Sequence, residues 1–89
     1  MISIERLSID ADRFREDVRI LLGIQRRIYH LIKKRQEFEK GLIWELKNAT
    51  PEKTIDLGVG NPVIQVVGKR IDIKPKTKHP RELENWLKE

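Results

Sequence analysis

IERLSIDADRFREDVRILLGIQRRIYHLIKKRQEFEKGLIWELK, residues 4–47, is the stretch whose reading decides the fold. In a heptad frame starting at Ile4, the a positions are Ile4, Ala11, Val18, Gln25, Ile32, Glu39 and Leu46. The d positions are Leu7, Phe14, Leu21, Ile28, Arg35 and Leu42. All but Gln25, Arg35 and Glu39 are apolar, a helical period held over six heptads. Gly23 and Gly41 fall on the outer face, and no proline precedes Pro51. The pattern predicts one long N-terminal α-helix over residues 4–47, about 65 Å long at 1.5 Å per residue. Such a helix needs a partner along its seam. The expected state is therefore a homo-oligomer, a coiled coil or helical bundle, with Leu7, Phe14, Val18, Leu21, Ile28, Ile32, Leu42 and Leu46 at the interface. Two other readings compete: a helical hairpin turning at Gly23, or a short strand at Ile2–Ile4 before a helix capped by Asp10 or Asp12.

The seam is widened by Leu22, Tyr29 and Ile43 on one flank and Ile24, Leu31 and Phe38 on the other. Arg35 and Glu39 are four residues apart, so they can pair and fix register at a cost in stability. Pro51 ends the helical period. Beyond it the period becomes two, at Ile55, Leu57, Val59, then Ile64, Val66, then Ile71, Ile73, with turns at Gly60-Asn61-Pro62 and Gly68-Lys69. This predicts a three-stranded antiparallel β-meander over residues 54–74. A short C-terminal helix over residues 80–88 follows, opened by Pro80, with Leu83, Trp86 and Leu87 on one side. The expected class is α+β, one small domain over residues 1–89.

Composition narrows the function. The chain of 89 residues has no cysteine, hence no disulfide, thiolate metal site or cysteine nucleophile. No apolar run approaches a membrane span and no signal-peptide pattern opens the sequence, so the expected location is the cytoplasm. Charged residues reach 37 %, a weak lean towards a thermophile. The net charge of +5 is uneven. No acid interrupts Arg19, Arg26, Arg27, Lys33, Lys34 and Arg35, and Lys69, Arg70, Lys74, Lys76, Lys78 and Arg81 face only Asp72. That asymmetry points to a polyanionic partner.

The heptad b positions Arg19, Arg26, Lys33, Lys40 and Lys47 form a basic stripe about 42 Å long on one helix, reinforced by Arg27 and Lys34. Phosphate backbones suit such a stripe because each neutralised phosphate releases counterions. Solvated lysines serving solubility are the plain alternative. Nucleic-acid contacts are expected from Arg19, Arg26, Arg27, Lys33, Lys34, Lys40, Lys69, Arg70, Lys76 and Lys78. An edge strand guarded by lysines explains Lys74 well and Lys76 and Lys78 less well.

The aromatics offer no stacking platform in this reading. Phe14 and Phe38 belong to the seam, and Trp44, nominally outside, is expected to lie under the sheet or the last helix. Gly58-Val59-Gly60 lacks the following helix of a phosphate loop. His30 shares a face with Glu37 and lacks a third ligand, so no metal is expected, and no nucleophile–base pair suggests catalysis. No cofactor is implied. The element order is similar in outline to the double-stranded RNA-binding domain, and the long helix with a hairpin to prefoldin subunits. The first family's loop and basic helix start cannot be placed here, and its first helix is shorter and its last longer. The second long helix of prefoldin is missing, so neither family is assigned. Two functions remain: a nucleic-acid-associated protein, DNA or RNA, or a structural adaptor that binds another protein through its seam and meander.

Overall fold

The computed structural model describes residues 1–27, 32–77, 79 and 81–88, and for Arg27 the backbone alone. The elements are β1 (Ile2–Ser3), a 3₁₀ turn (Ile4–Arg6), α1 (Ala11–Arg27), α2 (Ile32–Ala49), β2 (Thr54–Asp56), β3 (Val63–Val67), β4 (Arg70–Lys74) and α3 (Glu82–Lys88). The fold is α+β with three helices and a four-stranded mixed sheet in the order β1-β2-β3-β4.

The single long helix over residues 4–47 is thus overturned. A rod of about 65 Å cannot fit Cα extents of 31 × 29 × 21 Å. Residues 2–6 are strand and 3₁₀ turn instead, and Asp10 caps α1, its Oδ1 accepting the Arg13 N–H at 3.1 Å. α2 then runs back along α1, so that Arg13 near the start of α1 meets Glu45 near the end of α2. The hairpin does not turn at Gly23, which lies inside α1. The three-stranded meander is corrected as well. β2, β3 and β4 pair antiparallel, but β1 adds a fourth strand parallel to β2, with Ile2 opposite Ile55.

The helices pack on the sheet and share one core. Phe14, Val18, Leu21 and Leu22 of α1 and Leu42 and Leu46 of α2 meet Ile55, Ile64 and Ile71 of the strands, Leu57, and Leu83 and Trp86 of α3. Five of the residues expected at an oligomer interface, Phe14, Val18, Leu21, Leu42 and Leu46, are therefore buried inside a single chain. Leu7 packs half-buried against the same core. Ile32 keeps 49 % of its surface exposed, and Ile28 lies outside the described residues, as do Tyr29, His30 and Leu31.

The three polar residues that interrupt the seam converge on the outer edge of β4. Glu39 is fully buried, and its Oε2 accepts the Ile71 N–H at 2.8 Å. Gln25 Nε2 donates to the Ile71 carbonyl at 3.0 Å. Both backbone groups of one edge residue are thereby satisfied by helix side chains, which closes that part of the edge to another strand. Arg35 Nε lies 3.3 Å from Glu39 Oε1, an ion pair too oblique for a hydrogen bond. Arg19 stacks over the Trp86 ring, 4.7 Å from its centroid, and donates from Nε to the Trp86 carbonyl, joining α1 to α3.

Candidate functional site

Helix α2 and the β3–β4 turn enclose a groove of about 590 Å³. Its helix wall presents Arg35, Gln36, Lys40, Ile43, Trp44 and Lys47, and its turn wall Gly68, Lys69 and Arg70. Spacing explains the helix wall. Lys40, Trp44 and Lys47 stand at i, i+4 and i+7, so they share one solvent-facing stripe. The turn wall follows from backbone geometry. Val67 pairs with Arg70, leaving Gly68-Lys69 as a two-residue loop. Gly68 takes φ 63° while Lys69 stays negative, the signature of a type II′ turn, which suits the twist of paired strands. The result places Lys69 and Arg70, both exposed, opposite the lysines of α2.

The groove's charge is one-sided. Glu39 is the only acid lining it among the described residues, and its carboxylate is buried against the Ile71 N–H and Arg35. The other acids of α2 face away: Glu45 binds Arg13, and Glu37 lines the cleft between the two helices. Trp44 is 69 % exposed in the middle of this cationic surface. The expectation that the sheet or last helix covers it is therefore corrected. An indole flanked by lysines is an available aromatic face, whereas the other tryptophan, Trp86, is buried, with Nε1 donating to Asn61 Oδ1 at 3.0 Å.

The remaining basic residues scatter. The continuous stripe is split between two helices: Lys33, Lys40 and Lys47 stay in line on α2 and are exposed, while Arg19 and Arg26 lie on α1. Arg19 is engaged by Trp86 and Glu16, and Arg26 lies 3.9 Å from Glu84. Lys34 is exposed on α2 but does not line the groove. Lys76 is held elsewhere, with Nζ 2.6 Å from Asp56 Oδ1 and donating to the Gly58 carbonyl. That ammonium, with the Gly58 N–H, holds the Asp56 carboxyl below its ordinary range. The Arg27 side chain and Lys78 lie outside the described residues. Of the ten residues read as nucleic-acid contacts, the structure brings Lys40, Lys69 and Arg70 together at this groove.

The sequence reading placed Lys47 in the basic stripe without carrying it into the contact set, and it missed Trp44 as a partner of that cluster. The signal was present, since Lys40, Trp44 and Lys47 share the outer face of the same periodicity that assigned the inner one. What hid it was the assumption that a tryptophan must be covered.

Among the described residues no group of acids and histidines could hold a metal ion, and no helix is long and apolar enough to cross a membrane. No protein-family model matches the chain, and neither the curated proteins nor the solved structures provide a match.

Proposed function

We propose that the chain binds nucleic acid through the groove between α2 and the β3–β4 turn. The observation that carries this reading is the convergence of Lys40, Lys47, Lys69 and Arg70, from two separate elements, on a groove whose one acid is buried and engaged. Solubility lysines need no such focus, and they are normally interspersed with acids. Four cations around a concave surface would neutralise several phosphates of one strand. The contacts would go to the backbone, so they would be weakly sequence-specific and strongly salt-dependent. The cytoplasm, where a chain without cysteine fits the reducing conditions, is the location that goes with this reading.

Fluorescence anisotropy of labelled oligonucleotides, from 50 to about 200 mM salt, tests it. Four phosphate contacts give a slope of log K against log salt of about −3 on single strands, at −0.7 per contact. Lys69→Glu with Arg70→Glu should flatten that slope by about 1.4 and weaken binding. Lack of binding at the lowest salt would defeat the proposal.

The adaptor reading survives on one observation, the exposed indole of Trp44 beside half-buried Ile43. An apolar surface of this kind also suits a protein partner. Co-purification of one stoichiometric protein, displaced by Trp44→Ala and not by salt, would favour it.

A further inference from the structure

We infer that the groove takes single-stranded nucleic acid and that Trp44 is the platform on which an unpaired base stacks. This rests on the nucleic-acid reading above and specifies its substrate. The cations alone do not distinguish a duplex from a single strand; the indole between them does. In a duplex the base faces are hidden in the stack, and the surface offered to a protein is the phosphate backbone and the groove edges. A single strand exposes its base faces, which stack on aromatic side chains without regard to sequence.

Three features of the groove fit that occupant. Trp44 is 69 % exposed and sits one helical turn from Lys40 and from Lys47, so a base on the indole has an ammonium on either side along the chain. The opposite wall supplies Lys69 and Arg70, a second place for the flanking phosphates. Between the walls, Ile43 presents an apolar floor and Gly68 presents no side chain. A Cβ built at Gly68 would meet nothing within 4 Å, so the turn wall is open at that point. Against a duplex, by contrast, the face of the indole meets no exposed base on which to stack.

The test compares a labelled 12-mer of deoxythymidine, the same length of duplex DNA, an abasic strand with the same phosphates, and a poly-glutamate peptide. All four are titrated by anisotropy at 50 mM salt. The thymidine strand is expected to bind at least ten times more tightly than the abasic strand. Trp44→Ala should weaken binding to it by about 5- to 150-fold, the worth of one base–aromatic stack, and leave binding to the abasic strand and the duplex unchanged. Trp44→Phe should fall between. Circular dichroism of each variant checks that α2 is intact, as expected for an exposed position. Tryptophan fluorescence gives a second readout: thymidine strands should quench the intact chain, and the Trp44→Phe chain, which retains buried Trp86, should lose the quench. If the thymidine strand, the abasic strand and the duplex bind alike and Trp44→Ala changes none of them, the single-strand inference falls while the nucleic-acid reading stands. If no nucleic acid binds, or poly-glutamate binds as tightly as the strands, both fall.

Discussion

Replacing Glu39 tests the account of how the fold is held. Its carboxylate does two things that can be separated. Oε2 accepts the N–H of Ile71 at 2.8 Å, and Oε1 neutralises Arg35 at 3.3 Å. Glu39→Ala removes both. The Ile71 N–H, buried at the sheet edge, loses its acceptor, and a hydrogen bond to a charged group contributes about 1.5–3 kcal/mol. Arg35 then lacks its counter-charge. Breaking a buried pair costs about 3–5 kcal/mol, but a quarter of the Arg35 side chain reaches solvent and it can turn outward. The expected total is about 3 kcal/mol, at the lower end of that range. With a urea m-value of about 1–1.5 kcal/mol/M for a small domain, the midpoint should drop by about 2–3 M. Glu39→Gln keeps an acceptor for Ile71, loses the charge and turns an NH2 towards Arg35, which can swing outward, so its cost should be about 1–2 kcal/mol, below that of Glu39→Ala.

Equilibrium urea unfolding of wild type and both variants gives the free energies, and amide hydrogen exchange at Ile71 locates them. Protection of that one amide should collapse in Glu39→Ala and persist in Glu39→Gln. If Glu39→Ala loses less than about 0.5 kcal/mol, the scale of an ordinary surface change, and the Ile71 amide stays protected, Glu39 does not fix the β4 edge. Equal losses in the two variants would show that the ion pair, and not the backbone bond, dominates.

Three further predictions concern the loops and helices. The Asp56 carboxyl is held below its ordinary range by Lys76 and the Gly58 N–H. Its contribution to stability is therefore complete above the unfolded value, about 3.9, and is lost as pH falls through the lower folded value. Lys76→Met should raise the Asp56 titration midpoint, followed by carboxyl carbon NMR, only part of the way because the Gly58 bond remains. Gly58→Ala should cost about 1–3 kcal/mol, since φ is 106° and the new Cβ would lie 3.2 Å from Glu5 Oε1. Gly41→Ala should instead add about 0.5–1 kcal/mol, since its Cβ meets nothing within 4 Å and Gly41 lies within α2. Thermal melts of the two variants moving in the same direction would contradict this account.

Much of the inside–outside pattern was legible, and the path of the chain was not. The heptad frame assigns Phe14, Val18, Leu21, Leu42 and Leu46 to one face, and those residues are buried. A 3.6-residue period reports which side of a helix is apolar. It does not report whether the next helix continues the first or folds back beside it, because both arrangements bury the same stripe. Punctuation usually decides between them, and Ile28–Leu31 contains neither glycine nor proline. The only glycine nearby, Gly23, remains helical within α1. The strand at the start of the chain was legible only as a competing reading, a short strand at Ile2–Ile4 before a helix capped by Asp10 or Asp12. Its parallel pairing with Ile55 is a contact no local pattern encodes.

The polar interruptions of the seam were the most informative misfit. In a coiled coil Gln25, Arg35 and Glu39 would set register between chains. Here they serve the edge of the chain's own sheet, and the same bonds shape the groove. Glu39 lies on the inner side of α2 and fixes the N–H of Ile71, the residue next to Arg70. Alternation along a strand makes that bond decide where the turn wall points, since a shift of one residue in β4 would exchange the faces of Arg70 and Ile71. Lys40 and Lys47 of α2 lie 22 to 30 residues from Lys69 and Arg70 of the turn wall in sequence, and this backbone bond is one of the ties that sets their separation. On the proposed nucleic-acid reading, stability at Ile71 and affinity at the groove are coupled: loosening the Glu39 clamp should lower binding there, while changes at exposed Trp44 should leave the clamp as it is.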